Sequence, residues 1–276
     1  MAKYVLYNPY AGCGKDQTER FKELFGEIAL TDMTKIDDYD AFFAEVTPED
    51  ETVVCGGDGT LNRFLNTVGD AVKGKKLSYY ACGSGNDFIR EVNPANETAI
   101  ALDEYVENLP TVTANGKTYR FINGVGYGID GYCCEMGDKL RETSDKPIDY
   151  TGIAIKGLLF HYKPTGATVT VDGKEYRFEK VWLAPTMNGK YYGGGMIPAP
   201  EQKRTGDTLS VMLFHGTGKI RSLLIFPSIF KGEHVKHKKN ITVLSGKEIT
   251  VRFDSPRTLQ IDGETIVGVR EYTAKK

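Results

Sequence analysis

Between residues 3 and 110 short apolar runs alternate with amphipathic stretches, and three of the apolar runs end in glycine-rich turns. Lys3 to Tyr7, Ala29 to Met33, Thr52 to Cys55 and Leu77 to Ala81 read as strands. Asp16 to Ile28, with Phe21, Leu24, Phe25 and Ile28 at helical spacing, reads as a helix, as do stretches near Tyr39 to Val46, Leu61 to Val68, Asn86 to Val92 and Glu97 to Leu109. Strands separated by helices of this length imply βαβ units, hence a parallel sheet covered on both faces. Residues 1–110 are therefore expected to form a Rossmann-like, doubly wound α/β domain that binds ligands beyond the carboxyl ends of its strands.

After Pro110 the texture changes. Hairpin signals stand at Asn115-Gly116, Asp172-Gly173 and Asp262-Gly263, flanked by runs such as Ala167 to Val171 and Thr258 to Ile261. Helical patterns persist only near Asp149 to Tyr162 and Lys219 to Lys231. Residues 111–276 are expected to form a mainly antiparallel β-sandwich domain, with the last residues able to pack back on the first domain.

Composition narrows the class. The 276 residues are 40% hydrophobic, which excludes a disordered chain, and a net charge of −2 disfavours a nucleic-acid binder with a globally basic field. The amino terminus lacks a basic stretch followed by an apolar one, and no window approaches the roughly 20 apolar residues of a membrane span. The cysteines at 13, 55, 82, 133 and 134 contain no CxxC pair, against a disulfide framework or a structural zinc site; a reduced, cytoplasmic chain is expected. Glycine, at 31 residues, is in excess, so the fold needs unusual torsions or close backbone approach.

The strongest local signal is Val53-Val54-Cys55-Gly56-Gly57-Asp58-Gly59-Thr60-Leu61-Asn62. A buried strand runs into three glycines and an acid, then into a helix whose first N–H groups form an anion site. Asp58 in such a loop repels phosphate unless a metal ion lies between them. The competing reading is an ordinary tight turn in which Asp58 caps a helix. Two companions favour the phosphate reading: Asn8-Pro9-Tyr10-Ala11-Gly12-Cys13-Gly14-Lys15 after the first strand, and Ala81-Cys82-Gly83-Ser84-Gly85-Asn86-Asp87-Phe88 after the fourth. No Walker A loop is present.

In this order and at these spacings, the three segments resemble the diacylglycerol kinase catalytic domain of bacterial soluble lipid kinases and of sphingosine and ceramide kinases. The middle segment alone is also similar to NAD kinases and phosphofructokinases. The resemblance implies that ATP is held by Asn8, Pro9, Gly12, Thr34, Gly56, Gly57, Gly59, Thr60, Asn62 and Ser84, and that Mg²⁺ is bridged by Asp58 with help from Asp87 and Asp130.

It continues through the second half. Asn123-Gly124-Val125-Gly126-Tyr127-Gly128-Ile129-Asp130 looks like the family's glycine-rich segment ending in an acid. The spacing Gly126, Gly128, Gly131 also matches a dinucleotide fingerprint, but Asp130 would lie where a pyrophosphate sits. Asp262-Gly263-Glu264 resembles the family's terminal motif and makes Glu264 the candidate general base; read alone, it is a hairpin turn with an exposed glutamate. Thr265 stands where family members commonly have Pro. The stretch from Pro198 to Leu209 resembles a loop that holds a structural magnesium ion, with Asp207 supplying a carboxylate and Arg204 and Leu209 their backbone oxygens. Thr208 replaces the usual Gly there, and a plain β-turn is the competing reading.

The resemblance thus implies an ATP- and Mg²⁺-dependent lipid kinase with diacylglycerol as default acceptor, nucleotide on the parallel sheet and lipid against the β domain, in the cleft between them. The alternatives are NAD kinase-like phosphorylation of a soluble acceptor and a non-catalytic nucleotide-binding regulator. Transient peripheral contact with a membrane is expected, and a homodimer is compatible. Leu223, Leu224, Phe226, Ile229 and Phe230 followed by Lys231, Lys236, Lys238 and Lys239 are one candidate surface, Lys15 and Arg20 another; a core helix followed by a solvated loop explains the first equally well.

Overall fold

The computed structural model describes residues 3–10, 18–26, 28–83, 85–141, 143 and 150–276. The chain divides into two compact units, Met1–Leu109 and Pro110–Lys276.

In the first unit, β1 (Lys3–Tyr7), α1 (Thr18–Phe25), β2 (Ala29–Asp32), α2 (Tyr39–Glu45), β3 (Glu51–Gly56), α3 (Asp58–Val68), β4 (Lys76–Ala81) and α4 (Asp87–Val92) alternate as the apolar pattern requires. The strands lie in the order β2-β1-β3-β4, all parallel. Strand order reverses at β1 and β3, which puts the ligand crevice beyond their carboxyl ends. Alternation along the strands sends Val5, Val53, Cys55 and Tyr80 into one cluster with Phe21 of α1. Buried Phe43 and Phe64 pack edge-on, 6.2 Å between ring centroids, joining α2 to α3.

The stretch expected as a helix over 97–109 differs. It opens with β5 (Ile100–Ala101), antiparallel on β4, and only one helical turn follows, α5 (Asp103–Val106). The open edge of β4 explains this: its main-chain groups need partners, and Leu102 N–H reaches Leu77 O at 2.9 Å while Asn96 Nδ2 reaches Ala81 O at 2.8 Å.

The second unit is one antiparallel sheet of ten strands: β6 (Thr111–Ala114), β7 (Lys117–Arg120), β8 (Gly124–Tyr127), β9 (Thr165–Val171), β10 (Lys174–Val181), β11 (Thr186–Met187), β12 (Leu209–Phe214), β13 (Ile241–Gly246), β14 (Glu248–Ile261) and β15 (Glu264–Lys275). The 14-residue β14 pairs with β9 through Ile249–Phe253 and with β8 through Leu259–Ile261, with shifted register between. Tyr127, Phe253 and Tyr272 stack in the core it encloses. The hairpin turns at Asn115-Gly116, Asp172-Gly173 and Asp262-Gly263 all adopt positive φ. The last strand, β15, pairs with β14 and β6 in the second unit's sheet.

A helical layer covers part of this sheet. It comprises α6 (Ile129–Arg141), α7 (Tyr150–Lys156) continuing as a π-helical turn over Gly157–His161, and α8 (Lys219–Ile225) continuing as a 3₁₀ turn over Phe226–Lys231. The helix α6 hides in the sequence behind glycines and paired cysteines; Ile129 and Cys133 hold it to Leu158 and Trp182. Cys55, Cys133 and Cys134 are free thiols.

Candidate active site

The turns after β1, β3 and β4 meet through main chain. Asn8 N–H donates to Cys55 O at 3.3 Å, and Cys82 N–H to Gly56 O at 2.9 Å. A Cβ on Gly83 would sit 2.5 Å from Gly57 Cα, so the two glycine turns touch backbone to backbone and leave no room for a side chain between them. Buried Tyr79 supports this contact from below, its hydroxyl donating to Gly56 O at 2.9 Å. Burial, and then the Asp58 charge, hold its phenol well above the usual pKa. Asn8 Nδ2 donates to Thr60 Oγ1 at 3.1 Å, so two residues expected to hold nucleotide are joined across β1 and α3.

The helix α3 begins at Asp58, with Gly57 as its N-cap, so Asp58, Gly59 and Thr60 form its first turn. Their N–H groups are among those a helix leaves without internal acceptors, and the helix dipole favours an anion there. The Asp58 carboxylate reaches across to α4: Oδ2 accepts Asp87 N–H at 2.8 Å and Oδ1 accepts Phe88 N–H at 3.0 Å. Asp58 is thus a cap, but of the helix after the next strand. Asp87 is buried in the first turn of α4, and the preceding Asn86, at φ 50°, accepts Gly83 N–H at 2.9 Å.

The other expected nucleotide residues that are described have local partners. Pro9 follows Asn8 directly, and buried Asn62 accepts Asn66 Nδ2 along α3. Thr34 follows the edge strand β2, its N–H and hydroxyl both donating to Asp32. Gly12, Ser84 and Lys15 lie outside the described residues.

In the second unit the segment before β8 and the turn before Glu264 are welded together by Asp262. Its carboxylate accepts the N–H groups of Ile122, Asn123 and Gly124 at 2.5–2.9 Å. Glu264 is exposed at the start of β15, opposite Ile261, and Thr265 donates its hydroxyl to Asp138 of α6 at 2.7 Å, tying down the strand next to it. Asp130, buried in the first turn of α6, accepts Gly131 N–H at 2.8 Å. A Cβ on Gly126 would lie 1.6 Å from its Oδ2 and 2.4 Å from Gln260 Nε2, so carboxylate and amide crowd one bare stretch of β8. Burial raises the Asp130 carboxyl to about 6, the Gly131 N–H opposing the shift. Burial and the Asp130 charge push the Tyr192 phenol well up.

The loop expected to hold a structural magnesium ion is arranged otherwise. Arg204 is buried, with its guanidinium on Ile122 O and Asn123 Oδ1, and its carbonyl oxygen accepts Lys276 Nζ at 2.8 Å. Asp207 faces solvent and pairs with Lys247 Nζ at 3.1 Å, which holds its carboxyl below the usual range. Leu209 opens β12. Among the described residues, no group of three His, Cys, Asp or Glu side chains is placed to hold a metal.

Tyr79 and Asp262 have structural roles that the motifs do not announce. Only Asp262 had a visible signal, as the first turn residue beside Glu264.

A parallel sheet whose glycine turns converge at a topological switch point, followed in the chain by an antiparallel β unit, places this protein among α/β folds with a ligand crevice beyond the strand ends. Residues 3–117 match the diacylglycerol kinase catalytic domain, and residues 123–272 match the YegS C-terminal NAD kinase beta sandwich-like domain. The chain belongs to this diacylglycerol kinase catalytic domain family. It is 27% identical over 195 residues to a diacylglycerol kinase of Mycobacterium tuberculosis, covering 68% of this chain and only 62% of that protein. A diacylglycerol kinase of Staphylococcus carnosus is 25% identical over 280 residues, covering 94% and 87%. The crystal structure of a diacylglycerol kinase from Bacillus anthracis shares the fold, with a TM-score of 0.61 at 19% identity and coverage of 100% and 94%.

Proposed function

We propose that the protein is an ATP- and Mg²⁺-dependent lipid kinase, with diacylglycerol as the first acceptor to test. The observation that carries this reading is the bare main-chain surface at the switch point, where Gly57 meets Gly83 and the first turn of α3 presents its N–H groups. Such a surface suits nucleotide phosphates, because donors reach an anion that no side chain keeps away. The relatives named diacylglycerol kinase support the acceptor class.

The first turn of α3 binds the phosphates, while Asn8, locked to Thr60, fixes the turn after β1. The carboxylates of Asp58 and Asp87 suit a hard divalent cation, and magnesium when bound neutralises phosphate charge. The acceptor hydroxyl oxygen forms a bond to the γ-phosphorus, the bond from that phosphorus to the β–γ bridging oxygen breaks, and ADP leaves. Glu264 takes the hydroxyl proton and passes it to water. Asp130, with its carboxyl at about 6, is the remaining acid for this chemistry.

The acceptor is reached at a lipid surface. Phe160, Ile220 and Leu224 are 71–77% exposed on the helical layer, and Lys219 ties α8 to the turn that carries Phe160 through Leu159 O at 2.7 Å. Exposed Lys231, Lys238 and Lys239 follow in the chain, and bases near an apolar face suit anionic headgroups. Among the described residues no helix is long and apolar enough to cross a membrane.

The test is incubation of the protein with labelled Mg-ATP and either diacylglycerol-containing vesicles or NAD, followed by chromatographic separation. Label in phosphatidic acid supports the proposal. Label in NADP supports the NAD kinase-like reading, and ATP binding with no transfer to either acceptor or to a total lipid extract supports a regulator.

A further inference from the structure

In the loop from Ala199 to Leu209 the main-chain oxygens of Lys203, Arg204 and Thr208 are met by side-chain donors of the protein itself. Gln202, buried, donates its amide Nε2 to the main-chain oxygens of Asn188 at 3.2 Å, Lys203 at 3.1 Å and Thr208 at 2.9 Å, while its own Oε1 accepts Ser210 Oγ at 2.6 Å. Lys276 Nζ donates to Asn188 Oδ1 and to Arg204 O. Three oxygens are thus taken by the amide of Gln202, and Arg204 O and Asn188 Oδ1 by the ammonium of Lys276. Lys276 is delivered there by the sheet: Lys275 ends β15 paired with Glu248, and Lys276 N–H donates to Lys247 O at 2.9 Å. The neighbouring Lys247 draws Asp207 away to the surface.

A cage of carbonyl and amide oxygens with one nearby carboxylate is chemistry suited to a hard cation. Magnesium, however, takes six oxygens in near-octahedral array at roughly 2.0–2.1 Å. Here one oxygen of the expected set, Arg204 O, already faces an ammonium, and Asp207, the only carboxylate of the set, is paired elsewhere. A divalent ion entering beside Arg204 O would meet the charge of Lys276 at close range.

We propose that Lys276 is a tethered cation, whose ammonium stands where the family resemblance places a structural magnesium ion, so that the loop is held without metal. The second unit then needs no divalent ion to fold, and any magnesium requirement of the protein belongs to its nucleotide chemistry.

Thermal unfolding of the nucleotide-free full chain tests this. The midpoint of the wild type is expected to be the same in chelator and in millimolar Mg²⁺. Lys276→Met, which removes the ammonium that donates to Asn188 Oδ1 and Arg204 O, is expected to lower the midpoint by about 4–8 °C, with no recovery in Mg²⁺. A Mg²⁺-dependent rise of the wild-type midpoint that Asp207→Asn abolishes would overturn the proposal, as would an unchanged midpoint in Lys276→Met. Should Lys276→Met fail to fold, Mn²⁺ titration of wild type and Asp207→Asn, read by electron paramagnetic resonance, decides: equal stoichiometry supports a metal-free loop, and loss of one site in Asp207→Asn rejects it.

Discussion

Asp58 Oδ2 accepts the main-chain N–H of Asp87 at 2.8 Å, so the acid of the turn after β3 also holds the first residue of α4. With Phe88 N–H on the other oxygen, the carboxylate fixes the spacing between the turns after β3 and β4. Asp58→Asn keeps one acceptor and presents an NH₂ group to the second N–H. The unfolding free energy should fall by about 1–2 kcal/mol, measured in urea. Phosphoryl transfer should fall by at least about 100-fold, measured with labelled ATP. Full activity with reduced stability would mean that Asp58 is a cap and nothing more.

Glu264 separates chemistry from binding. Glu264→Gln preserves size and polarity but cannot take a proton, so kcat should fall by roughly 10²–10⁴-fold with nucleotide affinity unchanged. Glutamine keeps the size and hydrogen-bonding capacity of the side chain on this hairpin, so the variant should unfold close to the wild-type urea midpoint. Parallel losses in turnover and nucleotide binding would show that its role is structural.

The same residues show what a sequence makes legible. The turns after β1, β3 and β4 could be read because apolar runs and glycine-rich turns are local signals, and the order of the strands follows from the crossovers between them. The bond from Asp58 to Asp87 could not be read, because a cap normally lies within three residues of its helix and this one lies 29 away. The helix α6 was hidden because Gly131, Gly137 and two cysteines weaken its propensity, and packing against Leu158 and Trp182 decides instead. In the loop before β12 the motif pointed to a cation, and the chain answers with Lys276, 72 positions from the carbonyl it meets.

Asp262 joins two of the motifs. Its carboxylate receives three consecutive main-chain N–H groups, from Ile122 to Gly124. Asp262→Ala would strip partners from all three and remove a residue suited to the left-handed turn at φ 47°. A loss of about 3 kcal/mol or more in urea unfolding is expected, larger than for Asp262→Asn, which retains an acceptor and tolerates the turn. Equal effects of the two substitutions would show that the charge, not the hydrogen-bond geometry, secures the segment.

Asp130 sets a pH dependence opposite to that of the paired surface acids. Its carboxyl titrates at about 6 in the folded protein against 3.8 for the free side chain, because burial disfavours the charged form. Between those values the native state binds more protons than the unfolded chain, so this group's contribution to stability falls as pH rises from about 4 to 6 and stays lost above it. A shift of that size corresponds to roughly 3 kcal/mol. Asp32, Glu51 and Asp254, whose carboxyls are held low by partners, act in the opposite sense. The difference between wild type and Asp130→Asn isolates the term: unfolding free energies measured across pH 4 to 7 should diverge, with the variant gaining on the wild type as pH rises. A constant offset across that range would show that Asp130 is ionised throughout, its charge met inside the fold by a cation rather than by a proton.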